Sequence, residues 1–420
     1  MLGANSATGT PAAVSGGSSQ PILAGAVAAV VGFASTFAVV LAGLRGVGAS
    51  PSQAASGLFA VCAVMAVASA GLSLRTRMPI LLAWSTPGAA LLVGAGPVSG
   101  GYAAAVGAFM VCGALLALAG LWGALGKAIA RIPIPVASAM LAGVLLPLCL
   151  APVRAAVDIP AAAGPVIATW ALLSVLARRW AVPGALLAAI FVVVAFEPLE
   201  AGPTGALPVL DGVVPSLSVG ALLGVALPLF VVTMASQNVP GMGVLVANGY
   251  RPPLRPILAT TGGTTVLGAP FGVFAVNLAA ITAALVAGPE AHPDPARRWV
   301  AAVASGATYL VLGLSAGLAT ALVTSAPDGL IEAVAGLALL GALGGSLSAA
   351  LEAPEHREPA VVTFVVSASA ITTFGLSSAF WGLAAGLTLM GLQRVRAVRP
   401  PRAAEGSAAA EAPAAPASPA

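Results

Sequence analysis

The chain has 420 residues, 59% of them hydrophobic and 7% charged, with a mean hydropathy of +1.03, against roughly 25% charged residues in soluble domains. That composition excludes a soluble enzyme and leaves no hydrophilic stretch long enough for a separate soluble domain. The net charge of +4 and pI near 9.4 come from basic residues scattered between apolar stretches, which argues against a nucleic-acid partner and for an all-α polytopic protein embedded in a lipid bilayer.

Residues 1–20 are rich in Gly, Ser and Ala, lack the basic start of a cleavable signal peptide, and read as a disordered tail ahead of an uncleaved first span. Fourteen apolar segments follow, near 23–44, 53–74, 79–94, 102–126, 133–150, 161–177, 182–196, 219–247, 253–268, 270–288, 299–323, 329–351, 359–374 and 376–392. Several are shorter than the about 20 residues a helix needs to cross. Beyond residue 394 the Ala/Pro/Glu-rich tail reads as disordered. Cys62, Cys112 and Cys149 each lie inside an apolar span without metal-like spacing, as small core residues do.

Basic residues test the count, because cytoplasmic loops collect Lys and Arg. With the N-terminus in the cytoplasm, 15 of the 17 basic residues fall in inner loops or the C-terminal tail, and only Arg45 and Arg154 fall outside. One missed span would invert every later loop, so the split supports both the fourteen segments and cytoplasmic termini.

Segments 1 and 8 align at a constant offset of 201 residues, FASTFAVVLAGLRGVGASP from Phe33 over MASQNVPGMGVLVANGYRP from Met234. Seven spans separate equivalent elements, and an odd number makes the halves enter the membrane from opposite sides. The organisation expected is two inverted seven-segment repeats, 21–197 and 219–393, joined by a linker at 198–218. Secondary transporters of this kind place substrate near the midplane between discontinuous helices.

Segment 3, PILLAWSTPGAALL from Pro79, is apolar throughout yet broken by Ser-Thr-Pro-Gly; aligning Pro79 with Pro270 sets it over PFGVFAVN. Thr86 and Asn277 then coincide as expected N-caps, with Pro87 at the first helical position. Each segment is expected to cross half the bilayer extended and then turn helical. Such backbone survives at membrane depth only if buried in protein or lining a cavity. Two half-helix N-termini, each worth roughly half a positive charge, would then face one space.

None of the 13 carboxylates lies in segments 1, 3, 8 or 10, and neither His292 nor His356 is intramembrane. Neutral polar groups and positive helix ends suit an anion. In segment 8, Ser236, Gln237 and Asn238 precede a mid-span Pro-Gly pair; uncompensated amides at that depth are costly, so they are candidate ligand contacts. Phe33, Trp84, Phe271 and Phe274 lie near the same elements and could stack on a flat ring. Catalysis finds no support, since the membrane interior offers no histidine and no paired carboxylates.

The stretches RMPILLAWSTPGAALL, VVTMASQNVPGMGVL with the following NGYRPP, and LGAPFGVFAVNLAAIT resemble the benzoate/proton symporter family, often called BenE. The resemblance covers nearly the whole chain between its tails. It implies kinship with uracil/xanthine permeases and sulfate-type anion exchangers, in which core and gate domains, each drawn from both repeats, hold substrate between segments 3 and 10. It also implies proton-coupled import of benzoate across a bacterial inner membrane. Where similar nucleobase permeases carry glutamates, this chain has Gln237 and Asn277, a departure that suits a carboxylate substrate.

The reading is a cofactor-free secondary transporter for a benzoate-like anion and a proton. Thr86 and Asn277 cap the half-helices, Ser85, Gln237 and Asn238 add hydrogen bonds, and Phe33 and Phe274 flank the ring. Glu332, the nearest thing to an intramembrane carboxylate, reads as a first-turn residue after an Asp328 cap, so no proton carrier is named. A homodimer is compatible with this reading. A nucleobase permease, an inorganic-anion exchanger and a channel of the same fold are the alternatives.

Overall fold

Apolar residues that recur without a polar face make helices buried on several sides, and here such helices build nearly everything. The computed structural model describes residues 19–122, 133–196, 208–280, 282–373 and 376–398. The expected tails, before residue 19 and after 398, and the first part of the linker lie outside the described residues. From the N-terminus, α1 (Gln20–Gly46) and α2 (Pro51–Thr76) lead into a three-residue strand, β1 (Leu82–Trp84), then α3 (Thr86–Ala95) and α4 (Gly101–Leu121). The helices α5 (Ile134–Cys149), α6 (Ala151–Asp158), α7 (Pro160–Leu176) and α8 (Ala181–Phe196) complete the first half. The second half begins with α9 (Val219–Ala247), interrupted by π-helical turns at Leu222–Ala226 and Met234–Asn238. It continues through α10 (Leu254–Gly268), β2 (Val276–Leu278), α11 (Ala283–Ala287), α12 (Trp299–Gly313), α13 (Ala316–Ser325), α14 (Leu330–Leu351), α15 (Arg357–Ala368) and α16 (Ser378–Val398).

Each of the fourteen apolar segments contains at least one helix. Among the described residues seven helices are long and apolar enough to cross a membrane alone, or eight if α12 and α13, bent by 54°, form one span. The protein is an all-α polytopic membrane protein, and segments 3 and 10 are broken at a strand as the sequence suggests.

The turns after α1 and α9 repeat one another. Gly48 and Gly249 take positive φ (102° and 86°), as glycine does most readily. The amides of Val47, Gly48 and Ala49 donate to the carbonyls of Gly43, Arg45 and Leu44; those of Asn248, Gly249 and Tyr250 donate to Val244, Val246 and Leu245. Every one of these six atoms is displaced by 201 residues, the offset read from the sequence.

Packing falls into two groups. In one, α4 lies along α10, α2 along α12, and α12 along α1. Close approach depends on missing side chains: a Cβ on Gly262 of α10 would overlap the backbone of Gly113 and Ala117 of α4, the small-residue contact that apolar solvent favours. In the other, α5 packs on α14 and α15, α15 on α16, and α7 on α8. The two groups meet where α1 and α3 face α14 and α5. Glu332 does sit in the first turn of α14, but Gly329, with φ 88°, occupies the N-cap position expected for Asp328.

Candidate functional site

Unwound backbone in an apolar medium needs a partner for every N–H, and β1 and β2 supply part of one another's. They pair antiparallel, Leu82 with Leu278, Ala83 with Asn277 and Trp84 with Val276. Beyond the ladder, Ser85 N donates to Ala275 O at 3.1 Å and Ala279 N to Leu81 O at 3.0 Å. Three further amides are taken by side chains of surrounding helices: Leu82 N by Ser69 Oγ (2.9 Å), Val276 N by Thr265 Oγ1 (3.0 Å) and Leu278 N by Asn238 Oδ1 (3.0 Å).

This geometry corrects several expected roles. The cap of α3 is Ser85, not Thr86: Ser85 Oγ accepts from Gly88 N at 3.1 Å and from Thr233 Oγ1 at 3.1 Å. Thr86 is therefore the first helical residue and Pro87 the second. Asn277 caps nothing. It sits within β2, fully buried, with Nδ2 donating to Leu278 O at 2.8 Å. The strands pair antiparallel about Ala83 and Asn277, so Asn277 lies inside the ladder and not at a helix start. The second half-helix is also short, since α11 spans only Ala283–Ala287 and follows Thr282, which makes no side-chain cap bond.

Between the two packing groups lies a cavity of about 200 Å³. Its walls are Gly32, Ser35 and Thr36 of α1, Ala83 and Trp84 of β1, Thr86 and Pro87 of α3, Ala279, Ala280 and Thr282 after β2, Tyr309 of α12, and Leu339, Gly341 and Ala342 of α14, with Gln237. Trp84 is fixed: its Nε1 donates to Thr36 Oγ1 at 3.0 Å, and Thr36 Oγ1 donates to Gly32 O at 2.9 Å. Tyr309 meets the Trp84 ring edge-on, 5.5 Å between centroids. A second cavity of about 340 Å³ shares Pro87, Gln237, Ala280, Gly341 and Ala342 with the first and adds Ile134, Ser138, Ser236, Pro240 and Ser346. Those five shared residues mark the boundary between the two spaces, here termed the neck, and among the described lining residues of both cavities none is acidic, basic or histidine.

Gln237 is placed by the π-helical turn Met234–Asn238, whose extra residue changes the side-chain direction. Its neighbours are occupied: Ser236 Oγ donates to Val232 O, and Asn238, buried, bonds Leu278 and Met234. Gln237 alone of the three has no hydrogen-bond partner among the described residues, and it faces both cavities.

Of the seven residues expected at the site, Thr86 and Gln237 line the cavity. Ser85, Asn238 and Asn277 hold the backbone around it. Phe33 stands one layer back, stacked on Phe37 at 5.4 Å and edge-on to Trp84 at 6.0 Å. Phe274 is fully buried against Phe109, 6.3 Å between centroids, and does not reach the cavity. Thr36, Tyr309 and the small residues of α14 were missed; nothing local in the sequence marks them, because they meet the broken segments only through packing. A larger groove of about 660 Å³ runs between α2 and α10; no residue of either strand lines it, and Arg75 is the sole charged residue among its described lining residues.

Residues 17–392 match the family described as benzoate membrane transport protein, BenE. The inner membrane protein YdcO of Escherichia coli is 40% identical over 366 residues, covering 87% of this chain and 93% of that protein. The benzoate membrane transport protein of Acinetobacter baylyi is 31% identical over 372 residues, with the same coverage of 87% and 93%. Among solved structures, the transmembrane domain of the cyanobacterial bicarbonate transporter BicA superposes with a TM-score of 0.56 at 17% identity, covering 88% of this chain and 97% of that one. The murine anion transporter solute carrier 26 family member A9, in an inward-facing state, gives 0.55 at 14% identity, covering 90% and 69%. The superpositions show a shared fold, and the sequence match shows the family: this chain is a membrane transport protein that belongs to the BenE benzoate transport family.

Proposed function

We propose that the protein imports benzoate or a similar one-ring aromatic carboxylate together with a proton, by alternating access, across the inner membrane of a bacterium. The observation that carries this reading is the central cavity, walled by Trp84 and Tyr309 and lined by Gln237 and the start of α3. An apolar cavity of about 150 Å³ accepts benzene, so about 200 Å³ suits one ring with a small polar group and is tight for two. The α3 N-terminus favours a negative group approaching it, and the absence of carboxylates in the described lining removes the repulsion that would bar an anion. Names of the relatives point the same way: one is a benzoate membrane transport protein and another an inner membrane protein.

In this reading the helices packed around α1–α4 and α9–α12 are the core, those around α5 and α14 the gate, and the two halves are inverted repeats crossing fourteen times in all. The shared turn geometry at offset 201 and the antiparallel strand pair support that arrangement. With cytoplasmic termini, the start of α5 and the end of α14 lie on the arginine-rich side, so the larger cavity is a vestibule open to the cytoplasm.

The test is uptake of labelled benzoate into proteoliposomes under an inward proton gradient, with protein-free liposomes alongside because the neutral acid crosses lipid unaided. Saturable uptake above that control, lost when an ionophore collapses the gradient, is expected. Uptake no faster than the control would eliminate benzoate as substrate.

A further inference from the structure

Proton-coupled transport needs a group that binds a proton on one side and yields it on the other. The walls of the two joined cavities offer few choices. Among the described lining residues Tyr309 is the single titratable side chain. On the elements that form those walls, β1, β2, α3, α5, α9 and α11 carry no acid, base or histidine at all. Arg45 stands near the far end of α1, and Glu332 is exposed in the first turn of α14. Arg298, just before α12, is buried and donates to the carbonyls of Ala287, His292 and Pro293. The stretch 123–132, ahead of α5, contains no acidic residue or histidine.

Resting on the reading that the cavity takes an aromatic acid, we infer that the coupled proton travels on the substrate: the occluded species is the protonated, uncharged acid, recognised by the Gln237 amide. A primary amide presents an N–H donor beside a carbonyl acceptor. A carboxylic acid presents the complement, an O–H donor beside a carbonyl acceptor, so two hydrogen bonds form. A carboxylate is acceptor-only and would set an oxygen against Gln237 Oε1. The anion, drawn to the start of α3, enters an apolar cavity that disfavours its charge and takes a proton from vestibule water. One O–H bond forms on the carboxylate as one breaks in hydronium, and the reverse happens on the other side. Nothing is oxidised or reduced, and no net charge crosses.

This differs from a protein-borne carrier in a way that binding can read. Purified protein is titrated by calorimetry with isomeric ring-substituted benzoates that differ in carboxyl pKa, at one pH above all of them. The protonated fraction then changes about tenfold per unit, so Kd, expressed as total substrate, is expected to fall about tenfold for each unit rise in substrate pKa. Benzoate labelled with carbon-13 at the carboxyl is expected to show, when bound, the infrared band of a protonated acid. A Kd that is flat across the series, or carboxylate bands for the bound label, would overturn the inference. Tyr309→Phe is expected to keep the tenfold dependence; loss of it in that variant would show that the dependence runs through the Tyr309 hydroxyl and also overturn the inference. Gln237→Leu is expected to raise Kd at least tenfold for every acid, and an unchanged Kd would remove Gln237 from recognition. If wild-type protein bound none of the acids at any pH, the aromatic-acid reading itself would fall, a result distinct from a flat series.

Discussion

At the scale of single residues, the Ser-Thr-Pro-Gly break shows what a motif leaves open. Ser85 and Thr86 are both good N-cap residue types, and only geometry separates them: Ser85 Oγ takes the Gly88 amide while Thr86 faces the cavity. Ser85→Ala therefore removes a cap, for which losses are about 0.5–2 kcal/mol, and deprives Thr233 of its acceptor. Thr86→Ala removes no cap. Thermal unfolding in detergent should show a clear drop in Tm for Ser85→Ala and a much smaller one for Thr86→Ala, whose effect belongs in substrate affinity. The opposite order would return the cap to Thr86. The rings divide similarly. Trp84 and Phe33 look alike as apolar aromatics near a broken helix, but the indole N–H bonded to Thr36 orients one toward the cavity, and no such handle exists for the other.

At the scale of elements, the broken segments were legible and their register was not. Proline, Ser-Thr-Pro-Gly and the apolar flanks announce a helix that stops and restarts. A three-residue strand has no periodicity to read, and its pairing depends on contacts between distant parts of the chain, so Asn277 reads as a cap although it lies inside β2. Asn238 shows the physical cost of such structure. Its Oδ1 is the partner of the Leu278 amide, replacing a strand neighbour that does not exist. In Asn238→Leu that amide is left buried and unpaired, a loss of about 1–3 kcal/mol; Asn238→Asp keeps an acceptor. Tm should fall more for Leu than for Asp. Equal stability of Asn238→Leu and wild type would mean that the amide finds another partner.

At the scale of the whole molecule, the arginine bias and the cavities make one joint statement about direction. Ile134, Ser138 and Ser346 line the proposed vestibule beyond the neck, near helix ends that the proposed topology places toward the cytoplasm. Gly341 lines both cavities, and a Cβ there would meet nothing within 4 Å, so a cysteine fits without repacking. The native cysteines Cys62, Cys112 and Cys149 are all buried, which gives a quiet background for thiol labelling. A membrane-impermeant maleimide should therefore modify Ser138→Cys rapidly in inside-out vesicles and slowly in right-side-out ones. Benzoate should protect Gly341→Cys, at the neck, more than Ser138→Cys, further out. Rapid labelling of Ser138→Cys only in right-side-out vesicles would reverse the orientation, and equal protection at both positions would place the substrate in the vestibule instead of behind the neck. The two positions separate questions that composition alone merges: which side the basic loops face, and how deep the proposed substrate ring sits.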